Sequence, residues 1–372
     1  MGVDKAMAYA NLAGYSKAPI YIKNSDIMKI NLVRQLFTLC ALATWSCQHL
    51  YAQALDLAFD RFEQIYQQEL GSSQACPKPS EHEFTVCSEA LRNKGNAPYI
   101  LHHNEPRAKV IVLFHGLSDS PFYFRSIAQS LYEQGYNVVV ALLPGHGKKD
   151  ADADMQDSNL AERWRQHVAT IVEFSAGLGE KEYIGGFSTG GGLASEYILM
   201  HPNKVRGLLL FSGALRLDST VETMANIWGM RWVAKTLDGD YQTDGPNPFK
   251  YPSVSSFAAL QLVDVIASTR DLMADKVSLN LPIFAAHSAA DTTTLIKGVR
   301  DLLAYNQGQS ELFEIDAQYQ VCHANVVINE AQLQAMQYDM NAAKDKEGCE
   351  LPGANPQHDK MIAALHAFLQ AN

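Results

Sequence analysis

Five residues, Gly186-Phe187-Ser188-Thr189-Gly190, with Gly185 before them and Gly191-Gly192 behind, constrain this chain more than any other stretch. The run Tyr183 to Phe187 is short and apolar, which predicts a buried strand, while residues 190–200 carry a helical pattern. A strand can turn into a helix over so few residues only where glycines let the two backbones approach closely. A serine at that corner projects its hydroxyl above the sheet, at a helix N-terminus whose dipole favours developing negative charge. A glycine-rich phosphate-binding turn shares the composition. The strand before, the helix after and the place behind earlier strand-helix alternations favour the turn that presents a serine nucleophile.

The alternation extends on both sides. Lys109 to Phe114, Asn137 to Leu142, Tyr183 to Phe187, Val205 to Phe211, Leu281 to His287 and Glu311 to Ile315 are strand candidates; 121–134, 159–177, 190–200, 293–305 and 359–370 are helical. Short apolar strands separated by amphipathic helices predict an α/β fold, a mostly parallel sheet covered on both faces. Residues 109–213 and 276–372 form this core. Residues 214–275 interrupt it and hold Met224, Trp228, Trp232, Phe249 and Tyr251, which suggests a cap over the carboxyl ends of the strands, where such folds place ligands. Trp228, Trp232, Phe249 and Tyr251 are the expected substrate-binding side chains. Residues 55–108 are an extension opening on a helix, 55–70, packed outside the core, with short strands near 83–87 and 98–103.

The first 54 residues read as an address. From Met28, the expected translation start, a basic stretch leads to the apolar run Leu36 to Trp45 and then Ala52-Gln53-Ala54, the layout of an export signal cleaved after Ala54. About ten apolar residues are too few for a stable membrane span. A lipid anchor at Cys47 ranks lower, because bulky Trp45 stands where a small residue is expected. Export to a secreted or periplasmic location suits the remaining four cysteines. They allow three pairings, of which Cys76 with Cys87 and Cys322 with Cys349 close the two shortest loops. Their spacing lacks the close pairs of zinc sites, and no metal or cofactor is implied. A formal net charge of -10 argues against nucleic-acid binding.

Three segments, His115-Gly116-Leu117-Ser118-Asp119-Ser120-Pro121, Leu143-Pro144-Gly145-His146-Gly147 and Gly186-Phe187-Ser188-Thr189-Gly190, resemble the α/β-hydrolase superfamily over residues 109–370, in particular its monoglyceride-lipase, bacterial carboxylesterase and serine aminopeptidase-type branch. The resemblance implies an eight-stranded sheet with a cap after the sixth strand. It also implies an oxyanion hole formed by the backbone N–H groups of Leu117 and Thr189. Chain order in this fold is serine, acid, histidine. Asp291 follows strand Pro282 to His287 in the acid's place, ahead of Asp264 and Asp271 in the cap; its plainer role would be to cap helix 293–305. His323 follows the last strand in the histidine's place, with His358 as the alternative. About thirty residues between His323 and the final helix depart from the family's shorter link. His115, His146 and His287 are expected to shape loops or support the site.

Ser188, Asp291 and His323 thus form the expected triad of a serine hydrolase, a carboxylesterase or monoacylglycerol-type lipase, that cleaves a small-molecule carboxylic ester through an acyl-enzyme. A peptidase or amidase of the proline-iminopeptidase type is the alternative, kept open by Glu222, Asp238, Asp240 and Asp244 in the cap. A non-catalytic binding homologue is a further one. Dehalogenase and epoxide-hydrolase chemistry would require aspartate in place of Ser188.

Overall fold

The computed structural model describes residues 53–77, 80–104, 107–225 and 227–372. The chain divides into two units, Met1–Ala54 and Leu55–Asn372. The export signal, the start at Met28 and Cys47 lie outside the described residues. Among those that are described, no helix is long and apolar enough to cross a membrane.

Helix α1 (53–70) buries Phe59, Phe62, Tyr66 and Leu70 at helical spacing. It does not sit outside the core. The Tyr66 hydroxyl accepts a hydrogen bond from Leu142 N at 3.0 Å, and Glu69 accepts from Gly145 N at 2.8 Å. The extension therefore braces a loop at the carboxyl edge of the sheet, because the amides freed where a strand ends need partners.

Among the described residues nine strands follow: β1 (Ser73–Ala75), β2 (Glu83–Ser88), β3 (Tyr99–Leu101), β4 (Arg107–Phe114), β5 (Asn137–Ala141), β6 (Gly179–Phe187), β7 (Gly207–Phe211), β8 (Ile283–Ser288) and β9 (Ser310–Ile315). They form one sheet in the order β1-β2-β3-β5-β4-β6-β7-β8-β9. From β5 to β9 all neighbours are parallel, whereas β1, β2 and β3 add antiparallel pairs at one edge. The sheet thus has nine strands rather than eight, and the 55–108 extension supplies three of them. Antiparallel hairpin-like additions need no crossover helix, so they left no strand-helix rhythm in the sequence.

Helices α2 (Arg125–Glu133), α3 (Asp152–Met155), α4 (Leu160–Ser175) and α5 (Thr189–Met200) connect the strands as far as β7. Then come α6 (Ser219–Ala225), α7 (Met230–Asp238) and α8 (Ser256–Ala274), followed by α9 (Ile296–Tyr305), α10 (Glu330–Ala335) and α11 (His358–Ala371). Val110 to Phe114 and Val138 to Ala141 are fully buried, as strands covered on both faces must be.

The interrupting segment is not one cap. α8 buries Phe257, Ala258, Leu262, Val265 and Ile266 and so belongs to the layer covering the sheet. α6, α7 and the turn between them are more exposed, with Trp228 of the turn 98% and Trp232 of α7 72% exposed. Cys76–Cys87 and Cys322–Cys349 are both disulfide-bonded.

Candidate active site

Parallel strands bring their carboxyl ends to one edge, and the loops that carry chemistry gather there. Ser188 occupies the corner between β6 and α5, with φ 52° and ψ -117°. This left-handed backbone is costly for a serine, on the order of 1–3 kcal/mol, and the surroundings enforce it. Ser188 N donates to Phe211 O at 3.1 Å, and its carbonyl accepts from Gly192 N and Ala214 N. A methyl group on Gly190 would run into the Phe114 carbonyl, and one on Gly186 into the Gly190 backbone. The glycines are thus there to let β4, β6 and α5 touch.

His323, in the loop after β9, sets its Nε2 2.8 Å from Ser188 Oγ and its Nδ1 2.7 Å from Asp291 Oδ2. Asp291 is buried after β8. Its Oδ1 accepts from Thr293 N at 2.9 Å and Thr294 N at 3.0 Å, and the Thr294 hydroxyl lies 3.1 Å from Oδ2. Burial pushes the Asp291 carboxyl up, but the hydrogen bond and charge of His323, aided by His287 and Thr294, outweigh it and hold the group below its ordinary value. Asp291 does not cap a helix, since α9 begins only at Ile296 behind Leu295. The Phe187 ring lies 4.8 Å from the His323 ring and limits its swing. The structure therefore joins Ser188, His323 and Asp291 in one hydrogen-bonded line.

The other candidates stand apart from that line. His358 is buried at the start of α11, with Nε2 3.1 Å from Ser126 Oγ. Asp264 is paired with Arg231, and exposed Asp271 lies on α8. His287 places Nε2 2.9 Å from Thr294 O and 3.5 Å from Asp291, and burial pulls it below the ordinary imidazole value despite that carboxylate.

The loop after β4 is tied to the corner that carries Ser188, Gly190 N donating to His115 O at 3.1 Å. Among the described residues, neither Leu117 N nor Thr189 N donates to another protein group. His115 stitches the loop together. Its Nδ1 donates to Gly116 O at 2.8 Å, while Nε2 accepts from Leu143 N at 3.0 Å. Burial, with His146 beside it, keeps it neutral by driving its pKa well below the usual value. His146, likewise buried, falls to about 4.

Residues 249–251 run along that loop as a strap. Tyr251 N donates to Ser118 O, Ser120 Oγ donates to Phe249 O, and Lys250 pairs with buried Asp119. The four side chains expected to bind substrate thus separate. Phe249 stacks on Phe122 at 3.7 Å, and the Tyr251 hydroxyl accepts from Lys148 N and donates to Gly145 O. Trp228 and Trp232 face solvent. Sequence reasoning missed Thr294, Asp119 and Lys250. Only Thr294 left a signal, a threonine three residues after a carboxylate, the spacing of a side chain that accepts from the backbone ahead of it.

A serine hydroxyl facing an imidazole that is anchored on a carboxylate, with the unengaged N–H of Thr189 directly after the serine, is an arrangement able to run acyl transfer. The sequence model of the serine aminopeptidase S33 family matches residues 104–319. The chain belongs to that family. As an S33 family member it is an α/β hydrolase, and solved structures share its fold. One comes from work on LipS and LipT, two metagenome-derived lipolytic enzymes, with TM-score 0.52 and 16% identity over 73% of this chain and 97% of that one. A Paleococcus ferrophilus monoacylglycerol lipase follows, with TM-score 0.50 and 16% identity over 74% of this chain and 99% of its own. A lipase in an open form gives TM-score 0.50 and 15% identity over 81% and 99%. No curated protein matches the S33 member described here.

Proposed function

We propose that this protein is a serine esterase that hydrolyses small carboxylic esters through an acyl-enzyme. The observation that carries the reading is the hydrogen-bonded line from Ser188 Oγ through His323 to Asp291. Ser188 Oγ attacks the ester carbonyl as His323 Nε2 takes its proton. Leu117 N and Thr189 N donate to the oxyanion, a contribution of about 3–4 kcal/mol for one such donor elsewhere. The imidazolium, stabilised by Asp291, returns the proton to the departing alkoxide. Water then enters the same sequence, giving up a proton to His323 as it attacks the acyl-enzyme, and the acid leaves as Ser188 recovers its hydrogen.

The ester reading leads over amide cleavage because the carboxylates that would greet a substrate amine are already engaged or turned to solvent. Glu222 is held bidentately by Arg270, Asp238 accepts from Ser256 N and Phe257 N, and Asp244 is exposed. Two disulfides fit an oxidising compartment, and we place the mature protein outside the cytoplasm.

The test is hydrolysis of p-nitrophenyl esters from acetate to palmitate beside aminoacyl-p-nitroanilides, with wild type and Ser188→Ala run together. Ester turnover that vanishes in Ser188→Ala supports the reading. Anilide cleavage without ester cleavage moves the protein to the peptidases, and failure of a fluorophosphonate to label Ser188 removes it from the serine hydrolases.

A further inference from the structure

The strap along the β4 loop is the end of a proline-rich run, Pro246-Asn247-Pro248-Phe249-Lys250-Tyr251-Pro252, that belongs to no helix or strand. A segment of that kind must find partners for its backbone elsewhere. Its four successive carbonyls from Asn247 to Lys250 all accept from side chains. Phe249 O accepts from Ser120 of the β4 loop. The other three accept from residues 92–96, which link β2 to β3 in the N-terminal extension. Arg92 Nη1 donates to Lys250 O at 2.9 Å and Nη2 to Asn247 O at 3.3 Å, while Asn93 and Asn96 each donate Nδ2 to Pro248 O.

Packing follows the same route. Gly95 presses on the Phe249 ring so closely that a methyl group there would run into it, and that ring stacks on Phe122, just beyond the β4 loop. Arg92 is the costly member of the set. Its side chain is only 7% exposed and burial pulls the guanidinium below its ordinary value, an effect that solvent-exposed Asp244, 3.8 Å away, offsets in part. A planar guanidinium with donors in fixed directions holds two carbonyls of one segment at once, which a lysine ammonium does not. The two sets of contacts meet at Lys250, whose carbonyl is held by Arg92 and whose ammonium pairs with Asp119.

We infer that Arg92 is a positioning residue for ester hydrolysis: by holding Asn247 O and Lys250 O it seats the strap on the β4 loop and so fixes Leu117 N as an oxyanion donor. The inference rests on the esterase reading above. Residues 92–96 lie outside the stretch 104–319 that matches the S33 family model, so the site draws support from a part of the chain which that model does not cover. An oxyanion donor acts on the transition state more than on the bound ester, so its displacement lowers kcat and leaves KM nearly unchanged.

The experiment compares wild type with Arg92→Met, which keeps the length of the side chain and removes its donors, and with Arg92→Lys, which keeps the charge. Turnover of p-nitrophenyl butyrate is measured per active site, titrated with a fluorophosphonate. The second readout is affinity for an alkyl trifluoromethyl ketone. Ser188 Oγ adds to its carbonyl, the hydroxyl proton passes to His323, and the carbonyl oxygen, left negative, takes the place of the ester's oxyanion. Arg92→Met is expected to lower kcat about tenfold or more with KM within twofold, and to weaken the ketone by a similar factor. Arg92→Lys should fall between, and carries the comparison if Arg92→Met does not accumulate. With Lys250→Met added, the combined loss is expected to be smaller than the product of the single losses, since both act through one strap. Phe62→Leu, buried in α1 of the same extension, is expected to lower the melting temperature and leave kcat and ketone affinity in place. Wild-type kcat and ketone affinity in the Arg92 variants, equal losses in Phe62→Leu, or fully multiplicative losses with Lys250→Met overturn the positioning role while the esterase stands. A wild type that neither turns over the ester nor takes the fluorophosphonate at Ser188 overturns the esterase reading and the inference with it.

Discussion

Lys250 is ion-paired with Asp119, whose carboxylate is only 2% exposed in the loop that also carries Leu117. Leu117 N, the proposed oxyanion donor, lies two residues from this buried charge, so its position depends on that charge staying compensated. Removing the ammonium leaves a buried carboxylate alone, which typically costs about 3–5 kcal/mol. Lys250→Met is therefore expected to lower kcat on p-nitrophenyl butyrate by one to two orders of magnitude and to lower the melting temperature. Adding Asp119→Asn removes the stranded charge and should recover part of both losses. A double variant no better than the single one would refute this linkage between strap and loop.

Asp291 is predicted to matter through the tautomer it imposes. Because its Oδ2 accepts from His323 Nδ1, the free lone pair is on Nε2, facing Ser188. Asp291→Asn should keep the fold and KM yet lower kcat by about 10³ to 10⁴. Thr294→Val removes only a hydroxyl beside the same oxygen and should cost about tenfold. The native carboxyl is held below its ordinary value, so its contribution to stability is complete above the unfolded pKa and lost as pH falls through the lower, folded one. Stopped-flow measurement of the acylation burst separates the chemical step from deacylation. Equal losses in the two variants would contradict the assigned difference in role.

What the sequence made legible was whatever local pattern encodes. The β6 corner announced itself because only glycines fit there, and Asp291 because it follows the buried strand β8, whereas His323, eight residues beyond the half-polar β9, was placed by the chain order of the family it resembles. Strands near 83–87 and 98–103 were expected but not assigned to the sheet, and β1 was not seen, since strands of three to six residues without intervening helices carry too little pattern to say where they pair. Tyr251 and Phe249 looked like substrate contacts because aromatic side chains in an interruption read alike whether they face a ligand or the protein. Their partners, Lys148, Gly145 and Phe122, lie about 100 or more residues away and appear only when the chain is folded. α8 was read as cap for a similar reason, an apolar helix being equally at home over a sheet or over a substrate.

Gly190 gives a prediction about folding rather than chemistry. Its N–H donates to His115 O, and its missing side chain leaves room for the Phe114 carbonyl. Gly190→Ala would drive a methyl group into backbone, which cannot rotate away. The variant is expected to lose more than about 3 kcal/mol of stability or fail to accumulate as folded protein, on the scale of other overpacked and strained sites. Gly135, with φ 91° and open space around its missing side chain, is the control, because Gly135→Ala strains only its own backbone. Comparable urea midpoints for the two variants would show that the close approach at the β6 corner is not needed.

Glu182 gives the last prediction, away from the site. It lies buried on β6, accepting a hydrogen bond from Ser175 Oγ, and burial raises its carboxyl to about 7 from an ordinary 4.5 despite that bond. Between these values the native state binds more protons than the unfolded chain, so stability falls as pH rises through the window. The contribution is fully present below the unfolded value and gone above the folded one. In Glu182→Gln the group no longer titrates while the Ser175 contact can persist. The unfolding free energy of wild type, relative to the variant, is expected to fall by on the order of 3 kcal/mol between pH 4.5 and 8. Urea denaturation of both proteins across that range reads the difference directly, with every other titrating group cancelling. Parallel curves would mean that Glu182 ionises in the native protein as readily as in water, and the buried carboxyl would then have to be solvated by a route the packing around β6 does not provide.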